Sequence, residues 1–272
     1  MAHCAAQGTH RAIPPMLAGI FNVLLESPAM PIETYTAQVE SIENLTHDVR
    51  RLDLRLIEPK TIDFKPGQFV SFEIPDPQTG RLLTRAYSIA SQPSRSDVIT
   101  LLFNLVSGGP GSGFLFHLKA GEKTQFKGPA GHFYLRDNPE RELLFVASGT
   151  GIAPIRSMLL ANAERSNPRP AILFWGLRSQ RDLYDQEKLA ELSSRIPTLT
   201  AVTTLSRPDP GWSGESGRVL RLIEERITSV KNFAVYLCGN SGMIADATSL
   251  LQKKGLCPIY REKYYDGGGD GA

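Results

Sequence analysis

The densest group of chemically useful side chains in the sequence is a run of four residues, Arg85, Ala86, Tyr87 and Ser88. Because side chains alternate along a strand, we expect Arg85 and Tyr87 on one face and Ala86 and Ser88 on the other. An arginine suits a phosphate, a tyrosine suits a flat conjugated ring, and a serine hydroxyl can bond a ring heteroatom. A flavin nucleotide is one ligand that needs all three, although the segment alone is typical of an ordinary strand.

A glycine-rich loop over residues 107–113 could bind a diphosphate. Glycines let backbone N–H groups approach an anion closely, and a short helix predicted over residues 113–118 would direct its positive N-terminus to the same place. Arg85 would then serve as a second clamp. No Gly-Lys-Ser/Thr follows, so this is not a Walker A loop, and the alternative is a flexible hairpin loop.

Two further motifs follow predicted strands in the second half of the chain. Gly149, Thr150 and Gly151 lie between a strand and a helix, where they could receive a dinucleotide pyrophosphate. Cys238 and Gly239 end the last predicted strand. Ligands of parallel sheets bind beyond the carboxyl ends of the strands, so both motifs are suitably placed. Neither is specific alone, because a proline replaces the third glycine of the dinucleotide fingerprint and a free cysteine is most often a small buried residue.

Composition argues against several classes of protein. The chain has 272 residues, a formal net charge of +2 and 41% hydrophobic residues. A near-neutral balance without lysine or arginine runs argues against nucleic-acid binding, and no stretch reaches the length of a transmembrane helix. The three cysteines, Cys4, Cys238 and Cys257, form no metal-ligand cluster and indicate reduced thiols in a cytoplasmic protein. We therefore predict no metal site.

Residues 1–32 differ from the rest of the chain, and we expect them to form a disordered extension. The apolar stretch 12–25 is short and is interrupted by two prolines. A start codon assigned too early, with Met30 as the true start, is compatible with this interpretation. The alternative is a secretory signal peptide that is cleaved near residue 29, which would place the mature protein outside the cytoplasm.

Residues 33–138 have the pattern of a β-domain. The predicted strands cover residues 36–42, 49–56, 69–74, 85–89, 99–106 and 123–127. Short apolar-alternating strands at fairly regular spacing are typical of an antiparallel barrel or sandwich. We therefore expect an antiparallel β-barrel.

Residues 139–272 switch to alternating strands and helices. The predicted strands cover residues 142–147, 171–175, 199–205 and 233–238. One predicted helix follows the loop 148–154 and ends near residue 165, and the others cover residues 185–192, 219–226 and 241–253. This alternation predicts an α/β doubly wound parallel sheet. The boundary between the two domains falls near Asn138 and Pro139.

Taken in chain order, the motifs resemble those of the ferredoxin–NADP reductase family. The shared set is Arg85-x-Tyr87-Ser88, then Gly128-Pro129, then Gly149-Thr150-Gly151 followed by Ile-Ala-Pro, then Cys238-Gly239, then Glu262-Lys263-Tyr264-Tyr265. The resemblance covers roughly residues 35–266. It implies an FAD-binding barrel and a nicotinamide-binding α/β domain, with FMN as an open alternative to FAD.

The resemblance also implies the roles of individual residues. Arg85 contacts the flavin diphosphate, Tyr87 stacks on the isoalloxazine, and Ser88 lies near N5, the atom that accepts hydride. The implied cofactor-binding residues are Arg85, Ala86, Tyr87, Ser88, Gly111, Ser112, Thr150 and Tyr264. The implied catalytic residues are Ser88, Cys238 and Glu262. Tyr264 covers the second face of the flavin, and Tyr265 is the competing choice.

The family pattern places the pyridine nucleotide on Gly149, Thr150, Gly151, Cys238 and Gly239. A serine–arginine pair suits the 2′-phosphate of NADP, and here that pair is Ser206 and Arg207, with Arg178 adding positive charge. Asp209 follows closely and argues the other way. We expect NADP(H) as the nucleotide, with NADH as the alternative.

The implied activity is that of a ferredoxin/flavodoxin–NAD(P)+ reductase, with ferredoxin or flavodoxin as partner, no membrane insertion and a monomeric state. No C-x4-C-x2-C run is present, so no plant-type iron–sulfur domain is fused within this sequence. The first alternative is the reductase component of a specific oxygenase or other multiprotein electron-transfer complex. The second is a regulatory subunit that keeps the fold without the activity.

Overall fold

The structure is a computed structural model that describes residues 32–76 and 79–264. Two six-stranded sheets organise this part of the chain. The predicted N-terminal extension lies outside the described residues except for its last residue. Tyr265 and the glycine-rich C-terminus also lie outside them.

The first sheet is antiparallel and curls into a barrel. Its strands are β1 (Glu33–Asn44), β2 (Val49–Glu58), β3 (Phe69–Pro75), β4 (Leu82–Ser88), β5 (Val98–Asn104) and β6 (Lys123–Ala130). They lie in the order β4-β3-β6-β1-β2-β5, and an antiparallel bridge between Ile89 and Leu101 joins the two ends of that order. Alternate residues such as Val70, Phe72 and Ile74 fill the interior. The predicted antiparallel barrel is confirmed.

One helix, α1 (Pro110–His117), follows the glycine-rich loop. It begins three residues earlier than the glycine-rich sequence predicts. Pro110 occupies its first turn, where the missing N–H costs no hydrogen bond. The start of the helix therefore includes Gly111 and Ser112, which were predicted as loop residues.

The second sheet is parallel throughout. Its strands are β7 (Glu142–Ser148), β8 (Ala171–Leu177), β9 (Leu199–Leu205), β10 (Glu215–Ser216), β11 (Phe233–Gly239) and β12 (Ile259–Lys263). They lie in the order β10-β9-β8-β7-β11-β12. Strands β7, β8 and β11 are almost continuously buried, as expected when helices cover both faces of a parallel sheet. The predicted doubly wound sheet is confirmed, with β10 and β12 as strands that the sequence analysis did not anticipate.

Four helices connect or follow these strands: α2 (Ile152–Ala163), α3 (Gln186–Arg195), α4 (Val219–Arg226) and α5 (Ser241–Lys253). Strand order reverses between β7 and β11, since β8 continues on one side of β7 and β11 lies on the other. Such a switch point leaves a crevice at the carboxyl ends of the two strands, where open α/β sheets bind their ligands. No helix in the described part of the chain is long and apolar enough to span a membrane.

Helix α2 packs against the barrel. Ala90 and Leu102 from the barrel belong to the same buried cluster as Ile155 and Met158 from α2. Ser157 Oγ also donates a 2.6 Å hydrogen bond to the carbonyl oxygen of Ser91. This shared core fixes the end of β4 close to the switch point of the parallel sheet.

Candidate active site

Three predicted catalytic residues from distant parts of the chain meet at the boundary between the two sheets. Ser88 is the last residue of β4, and its Oγ donates to Glu262 Oε2 over 3.3 Å. Glu262 lies on β12 directly beside Cys238 on β11 in the parallel register. Barrel and parallel sheet therefore contribute a hydroxyl, a carboxyl and a thiol to one small region.

Tyr264 joins this group. Its phenol donates a 2.9 Å hydrogen bond to Ser88 Oγ, and its backbone N–H donates to the carbonyl oxygen of Gly239 over 3.1 Å. The phenol also hydrogen-bonds with the thiol of Cys238. Ser88 thus accepts from one partner and donates to another, so its hydroxyl has a defined orientation.

Burial sets the protonation of these groups. It raises the pKa of Glu262 to about 7, while the hydrogen bond from Ser88 opposes the rise. Burial also raises the pKa values of the Cys238 thiol and the Tyr264 phenol well above their usual range. At neutral pH the thiol and phenol are uncharged, and the carboxyl can hold or release a proton. Such a site suits chemistry that needs little charge, with one group able to exchange a proton.

Arg85 and Tyr87 project toward the start of α1, on the same face of β4. A Cβ atom built on Gly111 would lie 2.7 Å from both Arg85 Cγ and Tyr87 Oη, so only glycine fits there. The Tyr87 ring meets Phe72 and Phe103 edge to face, at centroid distances of 5.8 and 5.6 Å. The arginine is exposed, and its only hydrogen bond within the described residues goes to its neighbour's carbonyl. Its guanidinium therefore has donors available for a phosphate.

Ser112 and Ala86 take simpler positions. Ser112 is buried, and its Oγ accepts a 3.0 Å hydrogen bond from the N–H of Val106, which fixes the glycine-rich loop. Ala86 is exposed on β4 and pairs with Ser71 of β3. Neither residue contributes a free polar side chain.

The predicted nucleotide loop lies at the switch point of the parallel sheet. Gly149, Thr150 and Gly151 form a single 3₁₀ turn between β7 and α2. A Cβ atom on Gly151 would lie 2.4 Å from the carbonyl oxygen of Cys238. A Cβ atom on Gly239 would lie 2.3 Å from Ser148 Oγ. Glycine at these two positions allows the loop and the end of β11 to touch, which brings Cys238 beside the loop.

Thr150 links this loop to the barrel. Its Oγ1 donates to Asn104 Oδ1, at the end of β5, over 3.2 Å. Asn104 is a residue that sequence reasoning missed, and no local motif marks it. The contact depends on the packing of the barrel against the parallel sheet and so is invisible to a strand-by-strand inspection of the sequence.

The three residues predicted to recognise a 2′-phosphate lie together at the carboxyl ends of β8 and β9. The N–H of Arg207 donates to the carbonyl oxygen of Arg178 over 2.7 Å, and Ser206 lies beside them, bonded through its N–H to Leu177. All three are exposed. Their side chains make no hydrogen bond or ion pair with other residues in the described ranges. Two free guanidinium groups and a hydroxyl are thus available to an anion.

An open cleft of about 660 Å³ borders Glu262. Its lining combines aromatic rings with the cations Arg136 and Arg261 and with His132. Arg136 lies over the ring of Tyr134 at 3.7 Å and is also 5.3 Å from the ring of Tyr260. No local sequence pattern indicates this cleft, because it forms only where β12 packs beside the segment that follows β6.

Comparison with known families agrees with this arrangement. Residues 36–134 match the family described as "Oxidoreductase FAD-binding domain". Residues 145–249 match the family described as "Oxidoreductase NAD-binding domain". The first range covers the barrel, and the second covers most of the parallel sheet.

Several proteins are similar along most of the chain. The reductase component of phenol 2-monooxygenase from a Pseudomonas species is 34% identical over 249 residues, which are 88% of this chain and 69% of that protein. The ferredoxin–NAD(P)+ reductase component of the naphthalene 1,2-dioxygenase system from Pseudomonas putida is 32% identical over 256 residues, which are 91% of this chain and 76% of that protein. The ferredoxin reductase in carbazole 1,9a-dioxygenase shares the fold, with a TM-score of 0.75 and 24% identity over 88% of this chain and 71% of that chain.

The residues present fit a flavin dinucleotide and a pyridine nucleotide. Gly111 lets α1 approach β4 closely, beside an exposed arginine with free donors and a tyrosine ring, and the 3₁₀ turn at the switch point precedes the N-terminus of α2, where backbone N–H groups suit a diphosphate. The protein is an oxidoreductase that uses FAD and NAD(P)H. With its two matched domains and its reductase relatives, the chain belongs to the ferredoxin–NADP reductase family.

Proposed function

We propose that this protein is an NADPH-dependent reductase that delivers single electrons to a ferredoxin or flavodoxin. The observation that carries the proposal is the contact of Ser88 with Glu262 and Tyr264, beside Cys238 at the switch point. When bound, the flavin accepts hydride from the nicotinamide and releases electrons one at a time. The protein's task is then to hold two rings in contact and to manage one proton.

Each residue of the site has a defined task in this proposal. Ser88 would present its hydroxyl to the bound flavin ring, because its hydrogen bonds with Tyr264 and Glu262 fix its orientation. Glu262 exchanges a proton with solvent through the adjoining cleft, since its pKa of about 7 permits both protonation states. Cys238 is a neutral, buried thiol that would lie beside the bound nicotinamide. Arg85 and Tyr87 hold the flavin diphosphate and ring.

The cleft beside Glu262 supports an acidic carrier as the electron acceptor. Arg136 and Arg261 outnumber the single carboxylate of its lining, and that carboxyl is partly neutral at pH 7. Charge complementarity of this kind raises the rate of association between redox partners. The relatives named for oxygenase systems favour a second candidate with the same chemistry, in which the acceptor belongs to an oxygenase complex.

We also propose that the protein is a cytoplasmic monomer.

The test of the proposed function is anaerobic reduction followed by electron transfer. The purified protein should show flavin absorbance near about 450 nm that NADPH bleaches. A reduced sample should then reduce an acidic plant-type ferredoxin faster than it reduces cytochrome c, a basic protein. A purified protein without flavin absorbance would refute the proposal that it is a flavin-dependent reductase. Equal rates with both carriers at low salt would refute the acidic acceptor.

Nucleotide choice is tested by replacing Arg207 with alanine. The change should raise KM for NADPH about tenfold and leave kcat almost unchanged, because a charge-assisted hydrogen bond to an exposed phosphate contributes about 1.5 kcal/mol to binding in both the ground and transition states. KM for NADH should hardly change. Steady-state kinetics with both nucleotides measure this effect. Arg195→Ala, which removes an exposed arginine at the end of α3, is the matched control. A large preference of the wild-type protein for NADH would overturn the assignment.

A further inference from the structure

Two buried side chains converge on a single carbonyl oxygen of the nucleotide loop. The indole N–H of Trp175, on β8, donates to the Gly149 carbonyl oxygen over 2.9 Å. The hydroxyl of Tyr184 donates to the same oxygen over 3.3 Å. Neither residue belongs to a motif that the sequence analysis identified, and neither has a task in the mechanism above.

Both donors are held rigidly. Trp175 is 1% exposed and Tyr184 is 6% exposed, and their rings meet edge to face at a centroid distance of 4.8 Å. Burial raises the pKa of the Tyr184 phenol well above its usual range, so the hydroxyl keeps its proton. The next residue, Asp185, forms an ion pair with Arg51 of the barrel strand β2. Tyr184 is therefore fixed from both sheets.

The geometry of the peptide bond gives these contacts a consequence for the loop. In a trans peptide, the C=O of one residue and the N–H of the next point in opposite directions within one plane. Fixing the Gly149 carbonyl therefore also fixes the direction of the Thr150 N–H, which points away from Trp175 and Tyr184. Gly149 has a φ of +54°. A glycine can readily adopt other backbone conformations, so hydrogen bonds are needed to hold this peptide in one orientation.

We propose that Trp175 and Tyr184 are positioning residues for the pyridine nucleotide: their hydrogen bonds to the Gly149 carbonyl orient the Gly149–Thr150 peptide so that its N–H group faces the diphosphate. The inference rests on the proposed role of this loop in nucleotide binding. It adds a second layer of residues whose contribution is to affinity, since they touch neither the nicotinamide nor the flavin position.

Tyr184→Phe is the most specific test, because it removes one hydroxyl and keeps the ring. We expect the Kd for NADP+, measured by calorimetry on the flavin-loaded protein, to rise about fivefold, as for the loss of one neutral hydrogen bond. Trp175→Phe should give a similar rise. The rate of flavin reduction at saturating NADPH should stay within about twofold of the wild-type rate, because uniform binding affects KM and not kcat.

Hydrogen–deuterium exchange of the nucleotide-free protein gives a readout that does not depend on activity. The peptide that contains Gly149–Gly151 should exchange faster in Tyr184→Phe than in the wild-type protein. Tyr35→Phe is the control, since Tyr35 is also buried and its hydroxyl donates to Glu33 in the barrel, over 3.3 Å. It should change neither the Kd nor the exchange of the loop.

The possible outcomes separate this inference from the function on which it rests. Wild-type protein that binds no pyridine nucleotide would refute the proposed function. Wild-type protein that binds NADP+, together with an unchanged Kd and unchanged loop exchange in Tyr184→Phe, would refute the positioning role alone. A loss of kcat with no change in Kd would also refute it.

Discussion

Replacing Ser88 with alanine should slow flavin reduction by NADPH about 100-fold. The buried hydroxyl takes part in two hydrogen bonds that contribute about 1–3 kcal/mol, and its loss also frees the neighbouring side chains to move. Ser88 Oγ donates a hydrogen bond to Glu262 and accepts one from the phenol of Tyr264. Without it, the half-buried carboxyl of Glu262 loses a hydrogen-bond donor, and Tyr264 loses one of the contacts that fix its position. Stopped-flow absorbance under anaerobic conditions measures the rate at saturating nucleotide.

The control for this experiment is Ser91→Ala. Ser91 is also buried, and its Oγ accepts a 3.1 Å hydrogen bond from the N–H of Thr100, within the barrel. It should lower the melting temperature about as much as Ser88→Ala while leaving the reduction rate nearly unchanged. A Ser88→Ala protein that retains flavin and reduces it at the wild-type rate would remove Ser88 from the catalytic group.

Much of the fold could be predicted because its signals are local. Alternating apolar residues identify β1, β2 and β3, because only one face of each strand is buried. Continuous apolar runs identify β7 and β11, because both faces of these strands are buried. The motifs could be located for the same reason. Glycine loops and the strand containing Tyr87 and Ser88 combine residue types whose chemistry is recognisable within a few positions.

The strand that contains Glu262 lacked such a signal. β12 has five residues, and its burial is only partial because it lies at the edge of the parallel sheet. Its place is fixed by pairing with β11, which precedes it by a helix and a loop. The family resemblance pointed to Glu262 but gave no register. The structure supplies that register, with Cys238 and Glu262 as direct neighbours across two strands.

Contacts between the two sheets were equally inaccessible from local patterns. Asn104 meets Thr150, and Arg51 meets Asp185, across more than forty and more than one hundred residues of sequence respectively. Neither pair has a spacing that identifies it. The first contact lies just before α2, which packs on the barrel, and the second lies just before α3. The residue types of the candidate site can therefore be predicted from short motifs, whereas their relative positions depend on how the barrel packs against the parallel sheet.

The close approach at the switch point leads to the second large expected effect, which concerns Gly239→Ala. Gly239 has a φ of +134°, and an added Cβ would lie 2.3 Å from Ser148 Oγ and 2.8 Å from the Ser148 carbonyl oxygen. The backbone of β7 cannot move aside without disturbing the nucleotide loop. We expect the free energy of unfolding to fall by about 3 kcal/mol and NADPH-dependent flavin reduction to fall more than about 100-fold.

Gly121→Ala separates the steric clash from the backbone preference. Gly121 also has a positive φ, +85°, but an added Cβ there would meet nothing within 4 Å. Its substitution should cost about 1 kcal/mol of stability through the left-handed backbone alone and should leave nucleotide-dependent reduction unchanged. Chemical denaturation and stopped-flow absorbance of the two variants give the comparison. If Gly239→Ala behaved like Gly121→Ala, the contact between the end of β11 and Ser148 would not be what holds Cys238 beside the nucleotide loop, and that part of the proposed site would have to be abandoned.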